Sequence, residues 1–345
     1  MTAMSVAPGT EAPVLEVTDL RVQFATDRGW ATVVDGVSFS VGRAETVGVV
    51  GESGSGKTVT SLAVLGLLPS PPARVVGGSI RLGDTELLGL RRRELEEIRG
   101  DEVAMIFQEP MTSLNPAFPV GDQIAEVFRR HRRCSRSRAR ARAVEMLGKV
   151  GIPDAARRAR AYPHEFSGGM RQRAMIALAM CCDPRVLLAD EPTTALDGTI
   201  QAQILDLMRS MRDEFDTAIV FVTHDLGVVA DICDRAVVMY AGQVVEKAPI
   251  DDLYYHPRHP YTEALLGALP QLDGGTEVLA TIPGTAPTPG ALPAGCRFHP
   301  RCAHARPECA HPTESAADGV ALRWLSDSVA SRCVRVDELR LRGAR

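Results

Sequence analysis

The chain has 345 residues, 45% of them hydrophobic and 24% charged, with a formal net charge of -4. That length and balance read as a soluble globular protein of about two domains with ample core, and the charge excludes a generally basic nucleic-acid binder. No apolar run reaches the roughly 18 residues that a spanning helix needs. Residues 1–13 lack a basic-then-apolar leader pattern and read as a loose, flexible tail on a chain expected to stay in the cytoplasm. In that compartment the eight cysteines are expected to be thiols or ligands rather than disulfides.

In chain order, Val14 to Phe24 and Val33 to Val41 carry strand patterns and form a small β layer. At its edge Phe24 and Trp30 each offer a face that can stack on a purine or simply finish the strand's packing, and Phe24 is the one expected to take the base. An apolar strand, Glu45 to Val50, then runs into Gly51-Glu52-Ser53-Gly54-Ser55-Gly56-Lys57-Thr58, and a helix follows from Val59 to Leu68. This is a complete G-x-x-x-x-G-K-[ST] phosphate-binding loop in the strand–loop–helix setting that its chemistry requires. Glycines let backbone N–H groups curl round phosphate oxygens, the helix N-terminus adds positive potential, Lys57 reaches the β- and γ-phosphates, and the Thr58 hydroxyl can ligate Mg²⁺. The chain is therefore expected to bind a nucleoside triphosphate.

A hairpin is expected between Gly77 and Gly89, a charged helix from Arg91 to Arg99, and a buried strand from Val103 to Phe107. That strand ends at Gln108, an amide placed to sense the metal or an attacking water. Val120 to His131 and Ala139 to Gly151 have helical spacing, and the eight arginines between Arg129 and Arg142 read as a solvated face or exposed turn in preference to a nucleic-acid or lipid-phosphate contact. Ser167-Gly168-Gly169 opens a second helix and forms another anion site, but one without a lysine. One full site and one half site in a chain predict two chains closing face to face, each half site covering the partner's nucleotide.

The strand Val186 to Asp190 delivers two carboxylates. Asp190 can hold Mg²⁺ through water, and Glu191 is placed to polarise a water for attack on the γ-phosphorus. Asp197 follows closely, and the strand Ala218 to Thr223 delivers His224, read as a γ-phosphate contact.

Taken together, the loop at 51–58, Gln108, Ser167-Gly168-Gly169, Asp190-Glu191, Leu196-Asp197 and His224 resemble the nucleotide-binding subunit of ABC transporters over residues 14 to about 245. The resemblance implies an α/β P-loop NTPase of the ABC type. Its parts would be a RecA-like core with an antiparallel β subdomain, a helical signature subdomain at about 109–170, and a small cysteine-bearing extension over 246–345. It also implies an ATP sandwich dimer in which Phe24, the loop, Gln108, Asp197, His224 and the partner's Ser-Gly-Gly surround the nucleotide. Lys57, Gln108, Glu191 and His224 would be catalytic, and Thr58, Gln108 and Asp190 would serve Mg²⁺.

Finer motifs narrow the resemblance. Phe107 to Pro116, Phe166 to Arg173 and Thr199 to Leu205 are similar to the dipeptide/oligopeptide importer ATPases, D-type subunit, and Met170 stands where the F-type partner has Gln. This implies two transmembrane permease subunits, a second, F-type ATPase, an extracytoplasmic binding protein acting indirectly, no nucleic acid, and a peripheral position on the cytoplasmic face of the membrane. Peptides are the family default, with nickel, glycosides or other small solutes as alternative cargo. ABC ATPases that act on nucleic acid or the ribosome are a different class, and the single ATPase repeat without a coiled-coil insertion speaks against it. Two departures stand out: Phe166 replaces the usual Leu, and Gly198 sits where a β-branched residue is typical.

Beyond Val245 the chain turns rich in Pro, Gly and His, resembling the extension peculiar to these importers. Cys296, Cys302, Cys309 and Cys333 lie within it, spaced C-x5-C-x6-C-x23-C. Four thiolates hold either tetrahedral Zn²⁺ or an iron–sulfur cluster, and spacing alone does not decide. The resemblance of Gly295 to Cys302 to a cluster-binding motif implies a structural 4Fe-4S cluster, with Zn²⁺ as the alternative.

Overall fold

The structure is a computed structural model and describes residues 12–108, 113–194, 196–269, 281–311 and 320–344. Most of the expected N-terminal tail, Glu109 to Thr112, Ala195 and two stretches of the expected extension lie outside the described residues. In chain order come β1 (Leu15–Thr26), β2 (Gly29–Val41), β3 (Thr46–Val50), α1 (Lys57–Val64), β4 (Ala73–Leu82) and β5 (Thr85–Glu86). They are followed by α2 (Arg92–Ile98), β6 (Val103–Ile106), α3 (Val120–Arg132), α4 (Arg136–Lys149), α5 (Gly168–Met180), β7 (Val186–Asp190), α6 (Gly198–Phe215) and β8 (Ala218–Thr223). Then come α7 (Leu226–Ile232), β9 (Arg235–Tyr240), β10 (Gln243–Pro249), α8 (Ile250–Tyr255), α9 (Pro260–Gly267), β11 (Arg323–Trp324) and β12 (Ala330–Ser331).

Two compact units divide the chain, the first drawn from Met1–Ser40, Val47–Glu86 and Thr223–Arg345, the second from Val41–Thr46 and Leu87–Val222. The fold class is α/β with an antiparallel β layer. In the first unit that layer runs β2-β1-β4-β5, and a second row runs β11-β12-β10-β9-β3. Alternation in β1 sends Leu15, Val17 and Val22 inward, as a half-buried antiparallel strand requires. A bulge interrupts the β1–β4 register between Thr18 and Arg21. There Asp19 takes φ 47°, and opposite it Gly78, at φ +100°, passes so close that a Cβ would stand 2.6 Å from the Leu20 Cα. Only glycine fits that position.

The apolar run of β3 is buried along its whole length and pairs in parallel with β9, Val47 opposite Arg235 through Val50 opposite Val238. Burial on both faces is why the run does not alternate. Residues of the expected extension belong to this first unit. Glu246 of β10 is fully buried and accepts from the Arg258 N–H at 2.6 Å, the His259 N–H at 2.8 Å and the Thr262 hydroxyl at 2.5 Å, which fixes the entry to α9.

In the second unit β8, β7 and β6 lie side by side in parallel, and β7 and β8 are buried throughout. The amphipathic helices α3, with Val120, Ile124 and Phe128 buried at four-residue spacing, and α4, with Ala139, Ala143, Met146 and Leu147 buried, pack on each other and on α5, which itself packs on β6. Helix starts are set by side chains: Ser135, Ser167 and Asp197 accept from the N–H groups of Arg138, Met170 and Ile200 respectively. Two arginines of the basic run close a helix end. Arg132 donates to the Cys182 carbonyl at 2.5 Å and Arg142 to that of Cys181 at 3.0 Å, just where α5 finishes and its dipole favours cations. Arg129, Arg130, Arg133, Arg136, Arg138 and Arg140 are exposed, as a solvated face requires. Among the described residues no helix is long and apolar enough to cross a membrane.

Candidate nucleotide site

The candidate residues divide between the two units. In the first, β3 ends at Val50 and the phosphate loop begins. Gly51, Gly54 and Gly56 have φ of 154°, 79° and 101°. A Cβ on Gly51 would meet the Met239 carbonyl at 2.1 Å and one on Gly56 the Val33 carbonyl at 3.2 Å, so the loop packs backbone against backbone. Gly54 has open space round its Cα, and Ser53, Gly54 and Thr58 are exposed. Lys57 is buried, and its ammonium donates to the carbonyls of Gly51 at 2.7 Å and Glu52 at 3.0 Å. Gly56 offers no side chain to cap α1, and no acid lies in its first turn. No side chain thus caps the start of α1, as suits a helix N-terminus that receives an anion. The buried Ser55 hydroxyl makes no hydrogen bond, a polar group in the loop for which a phosphate oxygen is the fitting partner.

Of the two aromatics, Trp30 has the Arg74 guanidinium 3.8 Å above its ring, so one of its faces is occupied. Phe24 is half-buried near the end of β1, paired with Ala73 of β4. His224 is exposed directly after β8, and the next residue, Asp225, accepts from the Gly227 N–H at 2.8 Å to start α7.

In the second unit, β7 delivers Asp190, 2% exposed, and then Glu191. Glu191 takes φ 49°, a left-handed conformation that costs a non-glycine residue about 1–2 kcal/mol and gathers at functional sites. Its backbone N–H donates to the Val222 carbonyl at 2.8 Å. Its carboxylate accepts from the Gln108 amide at 3.0 Å and the Thr194 hydroxyl at 2.9 Å. The second-unit candidates Gln108 and Glu191 therefore meet. Thr194 was not among the expected site residues, although its place three residues after Glu191 is within reach of a turn. Gln172 was missed as well: it is 1% exposed and donates to the Pro192 carbonyl at 2.5 Å, bracing the turn after Glu191. It carried little signal, because it stands between Arg171 and Arg173 near the start of α5, where a polar residue reads as exposed.

Ser167 and Gly168 are exposed at the start of α5, and the Ser167 hydroxyl caps its own helix by accepting from the Met170 N–H at 3.3 Å. Asp197, likewise exposed, is occupied in the same way on α6, by the Ile200 N–H at 3.0 Å. Each of these helix N-termini is thus capped by its own side chain.

For the four cysteines the structure corrects the expectation. Cys296, Cys302, Cys309 and Cys333 line one cavity of about 10 Å³, together with His259 and Phe298, room for about one water. Among the described residues no group of three or more His, Cys, Asp or Glu is arranged to hold a metal ion. Neither the 4Fe-4S cluster nor the alternative Zn²⁺ is therefore supported. Burial pushes the Cys296 thiol up to about 11 and the Cys333 thiol up to about 12, so both are protonated at neutral pH. They pack as small apolar side chains in a wall built from two turns, in which the Cys296 N–H donates to the Cys309 carbonyl at 2.8 Å. Spacing brought the thiols near one another without making them ligands.

Comparison with known proteins yields consistent results. The family described as "ABC transporter" matches residues 34–194, and that described as "Oligopeptide/dipeptide transporter, C-terminal region" matches residues 245–309, stopping short of Cys333. The chain is 50% identical over 322 residues to a putative peptide import ATP-binding protein of Brucella abortus, covering 93% of this chain and 95% of that one. It is 51% identical over 296 residues to the oligopeptide transport ATP-binding protein AppD of Bacillus subtilis, covering 86% and 90%. With OppD of Salmonella typhimurium it shares 50% over 315 residues, covering 91% and 93%. Among solved structures, the dimeric post-hydrolysis state of the ATP-binding cassette MJ0796 with ADP and Pi aligns at TM-score 0.60 and 26% identity, over 68% of this chain and 98% of that one.

Proposed function

This chain belongs to the ABC transporter family, among the ATP-binding proteins of oligopeptide and dipeptide importers, and from that membership we propose that it binds and hydrolyses ATP to energise peptide uptake. Lys57 and the backbone amides of the loop and of α1 hold the β- and γ-phosphates, and Phe24 supplies the face for the adenine. Asp190 and Thr58 offer the hard oxygen donors that suit Mg²⁺, and such an ion neutralises charge on the transferring phosphoryl group. Glu191 orients the water and takes its proton, with Gln108 and Thr194 holding the carboxylate in place. His224 contacts the γ-phosphate. Ser167, Gly168 and Gly169 serve the nucleotide of a second ATPase subunit, of the F type, when two such chains close on each other. Two permease subunits in the membrane take up the motion, with this chain on their cytoplasmic face.

The observation that carries this reading is the Glu191 carboxylate, presented in a left-handed turn directly after Asp190 and held by Gln108 and Thr194. The experiment is reconstitution in proteoliposomes with the two permeases, the second ATPase and the binding protein, followed by ATP-dependent uptake of a labelled peptide. Uptake that requires ATP and disappears with Lys57→Ala is expected. Uptake of a nickel salt or a glycoside in its place would overturn the cargo, and no ATP hydrolysis at all would overturn the reading.

A further inference from the structure

The second residue of the phosphate loop is gripped from the far end of the chain. Arg301 reaches Glu52 with both guanidinium nitrogens, at 2.7 Å and 3.0 Å, a bidentate fork of the strong kind. The Arg301 side chain is 7% exposed, and its remaining donors are used on the Pro283 carbonyl at 2.8 Å, the Ile282 carbonyl at 3.3 Å and the Tyr240 hydroxyl at 3.3 Å. The backbone N–H of Glu52 donates to the hydroxyl of Tyr261, a fully buried residue of α9, at 2.8 Å. Tyr261, Tyr240 and Phe298 pack ring against ring, with centroids 4.6 to 5.3 Å apart. Two separate segments beyond residue 245, α9 through Tyr261 and the turn that carries Arg301, thus converge on one loop residue.

Two consequences follow for the loop. Lys57 donates to the carbonyls of Gly51 and Glu52, so fixing Glu52 fixes the anchor from which the lysine works. A carboxylate in a loop that must receive a polyanion also repels it, and the Arg301 fork neutralises that charge where water cannot screen it well. We propose that Arg301 and Tyr261 are positioning residues of the phosphate loop, through which the C-terminal segment sets the chain's affinity for nucleoside triphosphate. The inference rests on the loop being the ATP site.

The test measures ATP and ADP affinity of the full chain by calorimetry, with thermal unfolding recorded alongside. Arg301→Ala weakens ATP binding by about tenfold, the factor that ~1.4 kcal/mol of lost neutralisation gives, and weakens ADP less because ADP carries less charge. Adding Glu52→Gln to Arg301→Ala restores much of the lost affinity, since the repelling carboxylate is gone. A merely structural tie would leave the double variant as weak as the single one, and that result overturns the proposal. Tyr261→Phe keeps the ring and the packing but removes the acceptor for the Glu52 N–H, and weakens ATP binding about threefold, by loss of a single hydrogen bond. Should Arg301→Ala fail to fold, wild-type ATP affinity in a folded Tyr261→Phe protein is the overturning result. Lys57→Ala is the control: unchanged ATP binding there refutes the reading of the loop itself, whereas loss there with wild-type affinity in both positioning variants refutes the inference alone.

Discussion

Glu246→Gln tests how the chain beyond β10 is fastened to it. The Glu246 carboxylate is fully buried, with three donors on it. Burial nevertheless outweighs those bonds and raises its pKa from 4.5 to about 7. A carboxyl whose pKa is higher in the folded protein than in the unfolded chain binds its proton more tightly when folded. Its contribution to stability is therefore complete below pH 4.5 and is lost as pH rises to about 7. At ~1.4 kcal/mol per pKa unit the loss across that window is about 3 kcal/mol. His259, which burial lowers to about 3, acts in the opposite sense, adding stability as pH rises toward 6.5, and it is present in both proteins. The difference between wild type and Glu246→Gln therefore isolates Glu246. Glutamine cannot ionise but leaves one donor facing an amide NH₂, a pH-independent cost of about 1–3 kcal/mol. Denaturant unfolding of both proteins at half-unit steps from pH 4.5 to 8 should show the variant clearly weaker at the acid end and catching up with, or passing, wild type by pH 7 to 8. Two curves that run parallel over the whole range would refute the reasoning.

Gly78→Ala should destabilise the chain by roughly 2–4 kcal/mol, through left-handed strain and overlap with the Leu20 backbone, read as a lowered midpoint in denaturant. Ser135→Ala and Ser167→Ala each remove a helix cap and should cost about 1 kcal/mol in the same measurement. Only Ser167→Ala should also depress ATP turnover in the reconstituted transporter, and equal turnover in the two would remove Ser167 from the site.

Much of this was legible in the sequence because local rules and tertiary burial agreed. The uninterrupted apolar runs of β3, β7 and β8 could lie only in a sheet covered on both faces, and the loop at 51–58 announces its own backbone path through its glycines. Other features have no local signature. The left-handed turn of Glu191 is imposed by its N–H bond to Val222, thirty-one positions on, and the Arg301 to Glu52 fork spans most of the chain. An acid at position 246 in a strand reads as a solvent-facing residue, and only the returning segment at 258–262 makes it buried. The hydroxyl of Ser167 illustrates the converse: sequence marked it as an anion contact, and in the folded chain it first satisfies the N–H of its own helix. The cysteine spacing misled for a related reason. Proximity of thiols follows from chain path, whereas ligation needs their sulfurs directed at one centre.

The central claim, that Glu191 is the base of an ATP-hydrolysing site, is tested most directly by Glu191→Gln in the reconstituted transporter, with ATP affinity and ATP turnover measured on the same preparation. Glutamine keeps an acceptor for Gln108 and Thr194 but cannot take a proton. The account predicts ATP affinity close to wild type and turnover lower by roughly 10²- to 10⁴-fold, the contribution of a positioned general base. Turnover within a fewfold of wild type would contradict it.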